Sequence, residues 1–419
     1  MRFLHAADLH IDSPLRGLGR YEGAPVERLR TATRSALERL VDKALAEPVD
    51  FVLLAGDIYD RDWQDFHTGL FFREQMVRLD RQGIKVFMVQ GNHDAQGVIS
   101  RQLPLPLNVT IFSSRTAQTA RIDELSVAIH GRSFPERAVE EDLVPSYPAP
   151  VPGFFNIGLL HTSLSGRPFH DTYAPTDISV LRAKGYDYWA LGHVHAREVV
   201  SETPRVVFPG NLQGRHANET GPKGCELVNV QAGRIEAEFV PLDVVRWHQL
   251  EIPLDGVKGV EALGEAFRGA LQPSLTGAAD RLHAVRVRLT GSTQLHATEA
   301  NRPGTLDAAI RAAAQDLGDA EVWIEQVRLD LTTPLDRALA LQRQDAVGEL
   351  IRLVEALGAD DAALGVLTQA ELGGLLNAIP PEVADVDVPK LSSATDMLTL
   401  LRDAEATVLA RLAAAGGDA

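Results

Sequence analysis

The sequence predicts an α/β protein: a two-sheet β-sandwich flanked by helices, followed by a small α/β cap domain and a helical C-terminal region. Three observations carry this. Apolar β-type runs alternate with helical periodicities through the first 90 residues. That β-α-β-α-β rhythm pairs strands in parallel through right-handed crossovers. Several of the runs end in a short polar motif, where open α/β folds build their sites. Finally, 419 residues with 45% hydrophobic and 23% charged content are a globular composition too long for one ordinary domain.

Residues 2–8 (RFLHAAD) read as a strand. Residues 25–47 carry a helix, with Pro25 near its start and Leu29, Ala32, Ala36, Leu40 and Ala44 on one face. Residues 50–55 (DFVLLA) form a buried strand, 64–82 a helix stopped by Gly83, and 84–90 (IKVFMVQ) a third strand. Shorter strands follow near 109–112 and 126–131, then a proline-rich loop, VPSYPAPVPG, over 144–153. Residues 155–160 and 186–191 are strands that run into histidine motifs, and strands at 205–209, 225–230 and 235–240 suggest an antiparallel continuation. This defines a first domain over 1–245. Composition shifts near 241–249. Strand, helix, strand, helix, strand at 250–254, 259–271, 283–290, 305–317 and 322–329 then give the α/β cap domain, 246–333. After a linker at Thr332, Thr333 and Pro334, residues 334–419 are helical. Val347, Leu350, Ile351, Val354 and Leu357 make one apolar stripe and Met397, Leu401, Val408 and Leu412 a second, parted by Pro380, Pro381 and Pro389.

The net charge of −16 excludes a generally basic, nucleic-acid-coating protein. Residues 335–419 hold 6 Lys and Arg against 14 Asp and Glu, so this last fifth carries −8, half of the total. The single cysteine, Cys225, excludes an internal disulfide and Cys-based zinc sites, reads as a small buried apolar side chain, and suits a reducing cytoplasm. No apolar run approaches the ~18–20 residues of a membrane span. The N-terminus is expected to be retained, since removing it would remove the first motif below.

Five motifs occur in order: DLH (8–10), GDIYD (56–60), GNHD (91–94), LLHT (159–162) and GHVH (192–195). Asp8 and His10, two apart at a strand end, suit one metal; Asp57 has two oxygens to bridge a pair; Asn92 offers an amide oxygen; His161, His193 and His195 offer imidazole nitrogens. A consistent assignment puts Asp8, His10, Asp57 and His195 on one ion and Asp57, Asn92, His161 and His193 on the other. Two such ions ~3.5–4 Å apart clamp a phosphate and turn a bridging water into a hydroxide nucleophile. Nitrogen and oxygen donors without sulfur suit Mn²⁺ first, and Fe²⁺, Co²⁺ or Zn²⁺ as well. His93 is placed to stabilise the phosphate and protonate the leaving oxygen, with Asp60 orienting it and raising its pKa. Asp94 reads as a brace for the turn. Arg215, His216 and Lys223, on a glycine-rich loop that follows Gly210 and Asn211, read equally as phosphate contacts or as loop braces. Trp63, Phe66, Tyr173 and Trp189 read as packing, and His5, His67, His130 and His170 as structural.

The series D-x-H, GDxxD, GNHD, H and GHxH resembles that of the calcineurin-like metallophosphoesterases. His10, the cap and the helical tail narrow the resemblance to DNA repair nucleases of the SbcD type. The stretches HAADLHIDSPLRGL, YWALGHVH and FPGNLQGRHANETGPKGC look like the YhaO branch. The likeness covers residues 1–245 well and the rest loosely; the QGRHANETG insertion departs from SbcD proteins. It implies a metal-dependent DNA exonuclease, the nuclease subunit of a complex with an SMC-like (SbcC/YhaN-type) ATPase docked on the tail. The other expectation for the two stripes is packed core or self-associating helices, the latter giving a homodimer. The rivals are a small-molecule or nucleotide phosphoesterase, which needs neither cap nor tail, and a DNA-end-binding scaffold with little hydrolysis.

Overall fold

The computed structural model describes residues 1–14, 23–60, 66–95, 103–164, 173–378 and 393–415; Trp63, His170 and the prolines 380, 381 and 389 lie outside them. The fold is mixed α/β, with two large sheets flanked by helices. The first sheet has the order β12-β11-β1-β2-β3-β4. It is built from β1 (Arg2–Ala6), β2 (Phe51–Ala55), β3 (Lys85–Val89), β4 (Val109–Ile111), β11 (Gly224–Gln231) and β12 (Arg234–Pro241). The second has the order β5-β6-β7-β8-β10-β9. Its strands are β5 (Gln118–Ile122), β6 (Val127–Gly131), β7 (Phe155–His161), β8 (Tyr188–Gly192), β9 (Glu198–Glu202) and β10 (Arg205–Phe208). Strands β1 to β4 pair in parallel, as do β6, β7, β8 and β10, whereas β11 and β12 add antiparallel. All the parallel strands of a sheet therefore end on the same side, and the motifs collect there.

Period-2 alternation decides which side chain faces which layer. Phe3, Phe51, Leu53 and Phe87 point from the first sheet into the core shared with Ile129, Ile157, Leu159, Tyr188 and Val207 of the second. Their neighbours Leu4, Val52, Leu54, Val86 and Met88 face outward, against α1 (Val26–Ala46) and α2 (Phe66–Asp80). Because both faces are covered, β2 is buried at every residue, which is why it reads as the unbroken apolar run FVLLA. The outer face of the second sheet packs Trp189, Leu191 and Phe208 on Leu181 of α3 (Ile178–Lys184), together with Val144 and Tyr147.

The chain divides into two compact units, Met1–Gln249 with Ala278–Val285, and Leu250–Gly277 with Arg286–Ala419. Leading into and through the second are β13 (Val245–Pro253), α4 (Gly259–Leu275), β14 (Leu282–Ser292), α5 (Leu295–Asn301), α6 (Thr305–Gln315) and β15 (Glu321–Thr332), with a sheet of order β13-β14-β15. Strand β15 runs through Thr332, the first residue of the expected linker. Beyond it come α7 (Arg337–Leu341), α8 (Ala346–Gly358), α9 (Asp361–Asn377) and α10 (Ala394–Ala415). Here α10 packs on α5, β15 and α8, so the tail and the small α/β fold belong to one unit. Arg337 on α7 donates to Glu405 on α10 at 2.9 Å. Within the stripes, Ile351, Val354 and Met397 are buried, while Val408 stays exposed.

Candidate metal centre

All the sequence-identified site residues that carry metal donors lie in the first unit, at or just past the ends of the parallel strands. Asp8 and His10 follow β1, Asp57 and Asp60 follow β2, Asn92 and His93 follow β3, His161 ends β7, and His193 and His195 follow β8. Backbone amides hold the loops in register: Asp8 donates to the Gly56 carbonyl and His10 to that of Asp57, each at 3.0 Å. The turns are tight enough to force left-handed backbone on residues that dislike it. Asp8, His10, Asp57 and His193 have φ of 52°, 43°, 53° and 104°. Such conformations each cost on the order of 1–3 kcal/mol and persist only where surrounding structure over-determines them.

The side chains then converge. Asp8, His10 and His195 offer ligand atoms within 4.8 Å of one another, as do Asp57, His161 and His193. Between the groups, Asp57 Oδ2 is 3.8 Å from His10 Nε2 and 3.5 Å from His161 Nε2. The structure thus brings together the residues of both assigned ligand sets, with Asp57 in the bridging place and Asn92 Oδ1 at 2.9 Å from His161 Nε2.

Three observations show that this donor set fits divalent cations. First, a neutral imidazole has one N–H. His161 Nδ1 lies 2.9 Å from the Ala55 carbonyl, which only accepts, so the bare Nε2 faces two further acceptors, Asn92 Oδ1 and Asp57 Oδ2. Burial lowers the pKa of His161, which keeps it in that neutral form. Second, Asp8 is buried, and burial together with the nearby Asp57 carboxylate pushes its pKa well up. That is charge repulsion a cation relieves. Third, His10 is buried with its Nε2 3.2 Å from His195 Nε2 and 3.8 Å from Asp57 Oδ2, so donor atoms from three residues crowd one point.

His93 stands beside this cluster. Its Nδ1–H donates to Asp60 Oδ1 at 2.6 Å, and its backbone N–H donates to Asp57 Oδ1. Ser13 Oγ donates to the other Asp60 oxygen at 2.6 Å. Burial opposes ionisation of Asp60, yet the bonds from His93 and Ser13 and the charge of Arg215 outweigh it and hold its pKa at about 2. Asp94 accepts three backbone N–H bonds, from Ile58, Tyr59 and Gly91, and so ties GDIYD to GNHD. On the glycine-rich loop, the half-buried Arg215 pairs with Glu219, and Lys223 donates to the His195 carbonyl at 2.7 Å. Of the three basic residues singled out there, His216 is the one with an exposed side chain. The residue the sequence did not single out is Glu219: buried, it accepts from His195 Nδ1 at 2.7 Å.

Comparison with known proteins agrees with this geometry. Residues 1–197 match the calcineurin-like phosphoesterase family, and residues 247–332 match the family described as metallophosphoesterase YhaO, middle domain. The chain is 35% identical over 334 residues to the uncharacterized metallophosphoesterase YhaO of Bacillus subtilis (strain 168), covering 79% of this chain and 81% of that protein. It belongs to the calcineurin-like metallophosphoesterases, on the branch of that Bacillus protein. A more distant relative, the DNA double-strand break repair protein Mre11 of Methanopyrus kandleri, is 26% identical over 285 residues, 58% of this chain and 57% of its own. A dimetal phosphatase from Danio rerio of known crystal structure shares 13% identity with a TM-score of 0.35 over 58% of this chain and 96% of its own.

Proposed function

We propose that this metallophosphoesterase is a DNA phosphodiesterase, a repair exonuclease working with an SMC-like ATPase bound to its helical C-terminal region. The observation that carries the chemistry is the convergence of Asp8, His10, Asp57, His161, His193 and His195 with His93 and Asp60 at their edge. Asp8, His10, Asp57 and His195 would hold one divalent ion and Asp57, Asn92, His161 and His193 the other, Mn²⁺ being the first choice for such donors. Bound there, the ions supply Lewis acidity for the phosphate and a water of lowered pKa. The chain's own residues do the rest. His93 stabilises the charge that grows on the phosphoryl oxygens and hands a proton to the departing oxygen. Asp60 fixes its ring through Nδ1. Arg215 and Lys223 brace the loop, and the exposed His216 reaches toward a backbone phosphate.

DNA as the substrate is supported by the likeness to Mre11 and by His10, and the ATPase by the acidic tail with its exposed Leu353, Val366, Leu375 and Val408. One assay set tests both. The full chain with Mn²⁺ is given linear duplex DNA, single-stranded DNA and bis-p-nitrophenyl phosphate. DNA degradation from ends is expected; cleavage of the small ester alone overturns the nuclease reading. Pull-down of the ATPase is expected to be lost on deleting 335–419, and retained pull-down refutes the docking site.

A further inference from the structure

Among the charged side chains around the metal donors, Glu219 is bound most heavily. Its Oε1 accepts from His195 Nδ1 at 2.7 Å and from Arg215 Nη2 at 3.0 Å. Its Oε2 accepts from the Arg215 amide at 2.7 Å and from Asn211 Nδ2 at 2.9 Å. The side chain is only 7% exposed, and Gly210, at φ +80° and with its Cβ position 2.9 Å from the His195 carbonyl, is what lets the loop come this close. A carboxylate engaged this way can only accept. The proton of the His195–Glu219 bond is therefore on Nδ1, and the lone pair of His195 is on Nε2. That nitrogen lies 3.2 Å from His10 Nε2, and Asp8, His10 and His195 offer ligand atoms within 4.8 Å of one another.

We propose that Glu219 is a positioning residue of the metal centre: its carboxylate fixes the His195 tautomer and ring plane so that Nε2 is presented as a ligand, with Arg215 and Asn211 clamping the carboxylate. The inference rests on the metal-site reading. Such partners raise the basicity of a ligating histidine, and losing one costs about 10- to 100-fold in metal affinity or activity. Arg215 extends the arrangement, because its Nη1 lies 3.9 Å from Asp60 Oδ2, so one cation neighbours the carboxylate partners of both His195 and His93.

The test uses the full chain, stripped by chelator and titrated with Mn²⁺ by calorimetry, with ¹⁵N-histidine NMR of the stripped protein. Wild type is expected to bind two ions per chain and to show His195, assigned against His195→Gln, in the Nδ1–H form. Glu219→Gln and Glu219→Ala are expected to weaken one of the two ions by about 10- to 100-fold and to lower kcat on bis-p-nitrophenyl phosphate with KM little changed. Glu219→Asp is expected to restore part of both. A melting curve of each stripped variant separates misfolding from this effect. If Glu219→Gln keeps both affinities while losing only thermal stability, Glu219 is a loop brace and the proposal falls. His195 found as the Nε2–H form in wild type also overturns it, without need of any variant. Wild type that binds no Mn²⁺ overturns the metal-site reading itself, and the proposal with it.

Discussion

At the scale of single residues, the site works by deciding where protons sit. Asp60, held at a pKa of about 2, stays ionised throughout the working range, and His93 Nδ1 is committed to it. Replacing His93 with Ala should cost on the order of 10²- to 10⁴-fold in kcat on bis-p-nitrophenyl phosphate while Mn²⁺ content by elemental analysis stays at the wild-type value. Hydrolysis at the wild-type rate would remove His93 from the mechanism. Away from the donors, His5 shows the same logic in stability. It is fully buried between Tyr188 and the Leu191 carbonyl, and burial lowers its pKa to about 3. The unfolded chain protonates near 6.5, so between pH 6.5 and about 3 it binds the proton the folded chain refuses, and stability falls as pH falls through that window. Urea unfolding at pH 7.5 and pH 5 should show wild type losing about 2 kcal/mol more than His5→Gln between the two. Equal losses would contradict it. The candidate ligating residues were legible in the sequence because each sits close behind an apolar run. Glu219 was not: it is one acid in a polar loop, and its link to His195 across 24 residues exists only in three dimensions.

At the scale of elements, sequence patterning succeeded where burial imposes it. Strands β1, β2, β3, β7 and β8 are buried along nearly their whole length and read as apolar runs. The edge strands β5 and β9 were not expected from the sequence, since β5 is largely solvent-facing, β9 is mostly half-buried, and both alternate weakly. Helix α3 has seven residues, too few for a period to show, although Asp177 caps it through the Ser179 amide. Glycine does the fine placement between elements. Gly56 has φ +91°, and a Cβ there would lie 2.5 Å from His161 Nδ1. Gly56→Ala should therefore cost about 1–3 kcal/mol and loosen the His161–Ala55 contact. Thermal denaturation with and without Mn²⁺ checks this: the variant should melt lower and gain less from the metal. A variant with the same metal-dependent gain would mean the His161 position does not depend on Gly56.

At the scale of the whole molecule, composition showed that more than one domain was needed and where the acidic tail begins. It did not show that the tail helices share a unit with the small α/β fold, because helix packing partners leave no mark on periodicity. Since α10 covers α5 and β15 and buries Ala410, cutting the chain after residue 333 should expose apolar surface on the second unit. A lower or missing second calorimetric transition is expected, and an unchanged one would show the tail to be dispensable for that fold. The first unit carries a different consequence. Asp8, His10, Asp57 and Asn92 hang from one sheet and His161, His193 and His195 from the other, so each candidate ligand set draws on both. The loop that holds His195 arrives later still, just before β11 returns to lie beside β1. During synthesis a growing chain therefore has no assembled reaction centre until roughly its first half has been made and the sheets have docked. A metallophosphoesterase built this way acquires its site only once both sheets are folded.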